Sequence, residues 1–237
     1  MKSFFTAAAA ASLMAGAASA QMVFEQGDVS LSYYNYPDNP SIGGFVLDAS
    51  GAYQIGQFGV QLDATTTVLT DFIDLVELYS VAGRAYKTLP NGTKLGGYLK
   101  AEFIRGGFVT EEIYGYGAEA LFALGALDIE AYAGAATITG YDTFGNAGIQ
   151  AYYEISPSFE LSAGGDFLWD LDGDSMQYYN LAAEYSFSGI PVSLLASYTF
   201  SGTGNINVIG ISASYSFGPN TDSRLFGNRI YPIHVGI

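Results

Sequence analysis

From Gly27 to Phe217 the chain alternates between apolar and polar positions with a period of two. Val29, Leu31 and Tyr33 interleave with Asp28, Ser30 and Ser32, and Phe58, Val60, Leu62 and Ala64 with Gly59, Gln61 and Asp63. Further on, Leu127, Ile129, Ala131 and Ala133 interleave with Asp128, Glu130 and Tyr132, and Ile209, Ile211, Ala213, Tyr215 and Phe217 with Ser212, Ser214 and Ser216. Successive strand residues point to opposite faces, so each segment predicts a β-strand with one apolar face and one small or polar face. Twelve such strands are expected. Tight turns at 56–57, 90–92, 124–125, 156–158 and 188–191 follow the even-numbered strands, and longer or more polar links at 35–41, 67–74, 105–112, 140–146, 170–175 and 201–205 follow the odd-numbered ones.

Short turns at one end and longer loops at the other are the signature of a transmembrane β-barrel. Putting the short turns in the periplasm makes the strand number even and leaves both termini periplasmic. The apolar face supports a lipid surface: Phe45 with Tyr53, Tyr114 with Phe122, Phe159 with Phe167, and Tyr179 with Phe187 each frame a middle of smaller residues. Two aromatic girdles around an apolar band have that pattern. A soluble sandwich would instead show a charged face to water, and here the polar face is Ser, Gly, Gln, Asp and Glu with few lysines.

Composition agrees. Charged residues are 13% of the 237, where soluble domains carry about 25%. The net charge is nevertheless −15, from 23 acids against 8 bases, which opposes nucleic-acid binding because phosphate neutralisation needs clustered Lys and Arg. The N-terminus reads as a Sec signal peptide: Met1-Lys2, an apolar run through residues 4–17, and Ala18-Ser19-Ala20 as the exit. Cleavage after Ala20 removes Lys2 and leaves seven bases against 23 acids. The expected organisation is signal peptide 1–20, outer-membrane barrel 21–217 and a periplasmic C-terminal tail 218–237.

The leader, the alternating strands and a last strand ending Tyr215-Ser216-Phe217 resemble Gram-negative outer-membrane β-barrels. Stretches such as GAYQIGQFGVQLDA, residues 51–64, are similar to the small porin-like proteins of alphaproteobacteria. The resemblance implies a bacterial outer-membrane location and contact with membrane lipid and lipopolysaccharide. It also implies that Tyr215 and Phe217 are the signal read by the barrel-assembly machinery. The chain departs from that pattern by continuing for twenty residues beyond Phe217. Either Phe217 works internally and these residues form a tail, or the last strand lies elsewhere. Pro232 makes 230–237 a poor strand, which favours the tail.

Catalysis finds little support. The single histidine, His234, lies in the expected tail, and there is no cysteine. A serine nucleophile lacks a histidine base near it in sequence, and a His- or Cys-rich metal site cannot be built. Asp170, Asp172 and Asp174 surround Gly173 and form a weak calcium candidate, but the EF-hand order fails and the distal Glu is missing. No cofactor is expected.

Charge placement carries the functional expectation. Arg84, Lys87, Lys94, Lys100 and Arg105 are five of the seven bases after the leader, while residues 106–187 hold thirteen acids and no base. Arg84, Lys94 and Lys100 fall on the polar face. So do Glu102, Glu119, Asp128, Glu130, Glu154, Glu160, Asp166 and Glu184. One reading is a water-filled lumen with a basic wall facing an acidic one, passing small hydrophilic solutes or ions with a cation preference. Inward glycines such as Gly96, Gly117, Gly134 and Gly148 would leave it room. The other reading has Arg84, Lys94 and Lys100 bridging Glu102 and its neighbours to fill a narrow barrel, which then serves a structural or surface-interaction role. The oligomeric state and the solute are not legible.

Overall fold

The structure is a computed structural model that describes residues 22–40, 42–70, 75–106, 109–140, 143–171, 174–202, 206–220 and 224–227. The leader 1–20, Asp172 and His234 lie outside these. Twelve strands are found among the described residues: β1 (Val23–Asn35), β2 (Gly43–Ile55), β3 (Phe58–Thr70), β4 (Leu75–Thr88), β5 (Lys94–Gly106), β6 (Val109–Leu124), β7 (Leu127–Ile138), β8 (Thr143–Ser156), β9 (Phe159–Leu171), β10 (Asp174–Ser186), β11 (Val192–Ser201) and β12 (Asn207–Phe217). Each pairs antiparallel with its sequence neighbours, and β1 pairs with β12 from Gly27↔Phe217 to Asn35↔Ile209, closing the barrel. Closure leaves no unpaired strand edge, which a bilayer requires because it offers backbone groups no water. Strand lengths of 10 to 16 residues suffice for the roughly 9–11 that a tilted membrane strand needs.

Period-two patterning turns into an inside-out distribution of polarity. Leu31, Leu47, Leu62, Val81, Leu99, Ile149, Leu181 and Ile211 stand exposed on the outer face, with Leu99 67% accessible. Facing inward are Gln61, Asp63, Thr65, Ser80, Arg84, Lys100, Glu102, Glu119, Glu130 and Asn146, all buried. In water this surface would be an aggregation hazard; around a barrel it is a lipid face. Aromatics border it at both ends. Tyr33–Phe45, Phe103–Tyr114, Phe167–Tyr179 and Tyr179–Phe200 pack at the loop end, with centroids 5.1, 6.4, 6.1 and 5.0 Å apart. Phe24–Tyr53, Phe24–Phe217 and Tyr185–Phe187 do so at the short-turn end, at 5.4, 5.8 and 5.1 Å. Lys87, over the Phe58 ring at 5.9 Å, and exposed Arg105 sit near opposite ends of the wall rather than in the lumen.

Two features of the interior differ from expectation. At the loop end the inward face is apolar: Leu78, Ile104, Ile113, Ala136, Ile138, Phe144, Leu168 and Tyr178 form one buried cluster, with Val76 and Met176 against it. This collar spans β4 to β10. The inward glycines, moreover, do not widen the lumen. An ideal Cβ at Gly134 would lie 2.2 Å from the Tyr116 carbonyl and 2.5 Å from the Tyr98 hydroxyl, and one at Gly59 would meet the Tyr86 ring at 2.2 Å. Inward tyrosines lie across the glycines, so the space a missing side chain leaves is already taken.

Candidate functional site

The lumen falls into a filled part and an open part. In the filled part, along β3 to β6, every lumenal base has a partner nearby on the wall or on the C-terminal segment. Arg84 on β4 donates from Nη1 to Asp63 on β3 and from Nε to Glu119 on β6 at 3.2 Å. Lys100 Nζ lies 2.5 Å from Glu102 Oε1, two residues on and on the same face. Asp63 also accepts from Ser50 Oγ and Gln61 Nε2, both at 2.7 Å. Charges this dry persist only when paired and hydrogen-bonded. The sequence reading set Glu119 against Arg84 across the lumen; the fold puts it beside Arg84, because β4 and β6 are separated only by β5.

The C-terminal segment completes this filling. Beyond Phe217 the chain turns at Gly218 (φ 119), and Asn220 is tied to Glu25 through its backbone N, 3.2 Å from the Glu25 carbonyl, and its side-chain amide, 3.1 Å from Oε1. Residues 224–227 then lie inside the barrel rather than below it. Gln61 bonds both backbone groups of Phe226, its Nε2 donating to the carbonyl at 2.8 Å and its Oε1 accepting from the amide at 3.1 Å. Gly227 donates its amide to Glu130 at 3.1 Å, and its carbonyl accepts from Arg84 Nη2 at 2.8 Å. Lys94 Nζ donates to the Arg224 carbonyl at 2.9 Å. The Phe226 ring is 1% exposed and packs edge-on to Tyr86 at 5.5 Å. The expected tail is therefore, over these four residues, a strap. It is satisfied there because an extended chain in a lumen must find partners for its backbone, and Gln61, Arg84, Lys94 and Glu130 supply them.

Arg224 reaches to the far side. Its Nε donates to Asp128 on β7 at 3.2 Å, its Nη2 to Glu160 on β9, and its guanidinium lies 3.8 Å over the Tyr152 ring of β8. Burial works against the charge, but Glu160, Tyr152 and Asp128 together hold its pKa above the ordinary arginine value. Beyond the strap is a cavity of about 680 Å³ bounded by the walls of β1, β2, β7 to β10 and β12. Six carboxylates line it among the described residues, Asp28, Asp48, Asp128, Glu154, Glu160 and Glu184, with Ser30, Ser50, Ser214 and Ser216; Arg224 is the only base of its described lining.

Other candidates fall elsewhere. Asp166 accepts from Tyr132 at 2.6 Å. Asp170 is exposed at the loop end with φ 64, and Asp174 is exposed at the start of β10. No acid or histidine cluster able to hold a metal occurs among the described residues. Tyr215 and Phe217 stand on the outer face, where Phe217 packs over Gly27 at the β1–β12 seam.

No protein-family profile matches the sequence, and no curated protein matches it at a significant level. Solved structures do. The chain is similar to the KdgM porin solved in complex with disordered oligogalacturonate, with a TM-score of 0.61 at 7% identity over 81% of this chain and 99% of that one. It is similar also to the NanC porin, with a TM-score of 0.61 at 12% identity over 80% and 98%. These likenesses show a shared outer-membrane barrel fold. The narrower resemblance to alphaproteobacterial proteins has no support at the level of sequence.

Proposed function

We propose that this protein is an outer-membrane channel for passive diffusion of small hydrophilic solutes or ions, preferring cations. The observation that carries the reading is the cavity along β1, β2, β7 to β10 and β12, where six carboxylates stand against one guanidinium. Acidic rings in a narrow, low-dielectric passage concentrate cations and repel anions. This lining differs in chemistry from what a polyanion such as oligogalacturonate would need. In the same reading the short turns face the periplasm and both termini of the barrel's chain lie there, since Val23 and Phe217 are at the turn end. Phe217 serves as the assembly signal at the closing seam, the chain is akin to small alphaproteobacterial porin-like proteins, and neither catalysis nor a cofactor enters. One observation favours a closed structural barrel instead: the apolar collar of Leu78, Ile104, Phe144 and Leu168 at the loop end.

Planar-bilayer recording separates the two. The channel reading expects discrete conductance steps and, in a salt gradient, a reversal potential on the cation side. Replacing Asp28 and Glu184 by Asn and Gln should move that potential toward zero. Silence at modest voltage overturns the channel, and anion preference overturns the role given to the acidic cavity.

A further inference from the structure

The strap holds the lumen in a way that differs from its two ends. Its backbone is bound by side chains of β3, β4, β5 and β7, and its one charged side chain crosses to β7, β8 and β9. Residues 224–227 thus form a chord that divides the filled part from the acidic cavity. The seat of Arg224 is specific in chemistry: two carboxylates in reach of the guanidinium edge and an aromatic face beneath its plane. That combination suits a planar, delocalised cation better than an ammonium. It is also accessible. The Arg224 side chain is 25% exposed, Asp128 28% and Glu160 22%, all on the cavity side, whereas Arg84 is 4% exposed and its partner carboxylates 0%. Half-buried ion pairs that water reaches exchange more readily than dry ones.

We propose that residues 224–227 are a tethered blocker of the lumen, and that a solute bearing a guanidinium group competes with Arg224 for the seat formed by Asp128, Glu160 and Tyr152. The proposal rests on the channel reading and adds its solute class. A solute arriving through the cavity meets the guanidinium end of the strap first. Once Arg224 is displaced, the strap is held by Gln61, Arg84, Lys94 and Glu130 on one side alone, and the chord no longer spans the lumen.

The test compares three proteins in planar bilayers: the full chain, the chain ended after Asn220, and Arg224→Gln. Ending at Asn220 keeps every strand and the Asn220–Glu25 contacts, and retarded heating-dependent mobility in denaturing gels verifies that the barrel has formed. The shortened chain should conduct about twofold more than the full chain, as expected when a constriction is cleared from a narrow pore, with Arg224→Gln in between. Added Arg-Leu-Phe-Gly amide should return the shortened channel to the lower level, and Gln-Leu-Phe-Gly amide should not. Equal conductance of full and shortened chains overturns the blocker and leaves the channel reading standing. Equal block by both peptides overturns the guanidinium seat. Silence of all three proteins overturns the channel reading and the blocker with it.

Discussion

Replacing Arg84 with Met tests whether the dry charge cluster holds the barrel wall together. Arg84 is 4% exposed, and Asp63 and Glu119 are both 0% exposed, so the substitution takes from two dry carboxylates the cation they share. Breaking a buried ion pair by removing one partner costs about 3–5 kcal/mol. Asp63 keeps hydrogen bonds from Ser50 and Gln61, which places the loss at the lower end, while the lost bond to the Gly227 carbonyl adds roughly 0.5–1.5 kcal/mol. A loss of about 4 kcal/mol, with a urea dependence of about 2 kcal/mol per molar, moves the unfolding midpoint down by about 2 M. The lone tryptophan, Trp169, sits on the outer face and reports unfolding in lipid vesicles by its fluorescence. The decisive control is the triple variant Arg84→Met, Asp63→Asn, Glu119→Gln, which removes the carboxylate charges along with the cation. It should recover most of the lost stability. A triple variant no more stable than Arg84→Met would refute the argument that uncompensated carboxylates cause the loss.

Two other substitutions probe different links. Leu99→Arg puts a charge at a position 67% exposed on the outer face and should cost about 2–4 kcal/mol in bilayers if that position lies near the midplane; an unchanged urea midpoint would mean that Leu99 does not meet hydrocarbon. Gly134→Ala introduces a Cβ 2.2 Å from the Tyr116 carbonyl, and the resulting overpacking, about 1–3 kcal/mol, outweighs the roughly 0.5–1 kcal/mol that alanine gains over glycine in a strand. A stabilised Gly134→Ala would show that the β6 backbone at Tyr116 and Gly117 gives way at little cost.

Strand number, turn positions and faces were legible because lipid outside and a polar lumen inside force a strict period of two. Legibility fails where that contrast disappears. The collar is the clearest case: Ile104 follows Phe103, and Ile113 precedes Tyr114, so both faces are apolar at the loop ends and alternation gives no signal. Phe144 accordingly fell in an expected loop, although it is 1% exposed inside β8. The lumenal positions of Arg84, Lys94 and Lys100 were legible, but not their partners, because pairing depends on which strands adjoin. The strap was not legible from periodicity. Arg224-Leu225-Phe226-Gly227 has no period, and the residues that bind it lie between Gln61 and Glu160 in the chain.

One signal of the strap was nevertheless present in the charge pattern. After Arg105 the chain has only two bases, Arg224 and Arg229, both beyond the last strand and both following a long run of acids. A lumen built from that run has no cation of its own for Asp128 and Glu160, and repulsion among inward carboxylates opposes closure. A mobile external cation can relieve this, or the chain can supply one. Arg224 supplies it, bonding one carboxylate on β7 and another on β9 and resting on the ring between them on β8. Arg84 and Lys100 thus answer acids of their own wall, and Arg224 answers those of β7 and β9. Asp28, Asp48, Glu154 and Glu184 remain along the cavity with no base within its described lining except Arg224. Their surplus, not the total charge of the chain, is what a diffusing cation would meet.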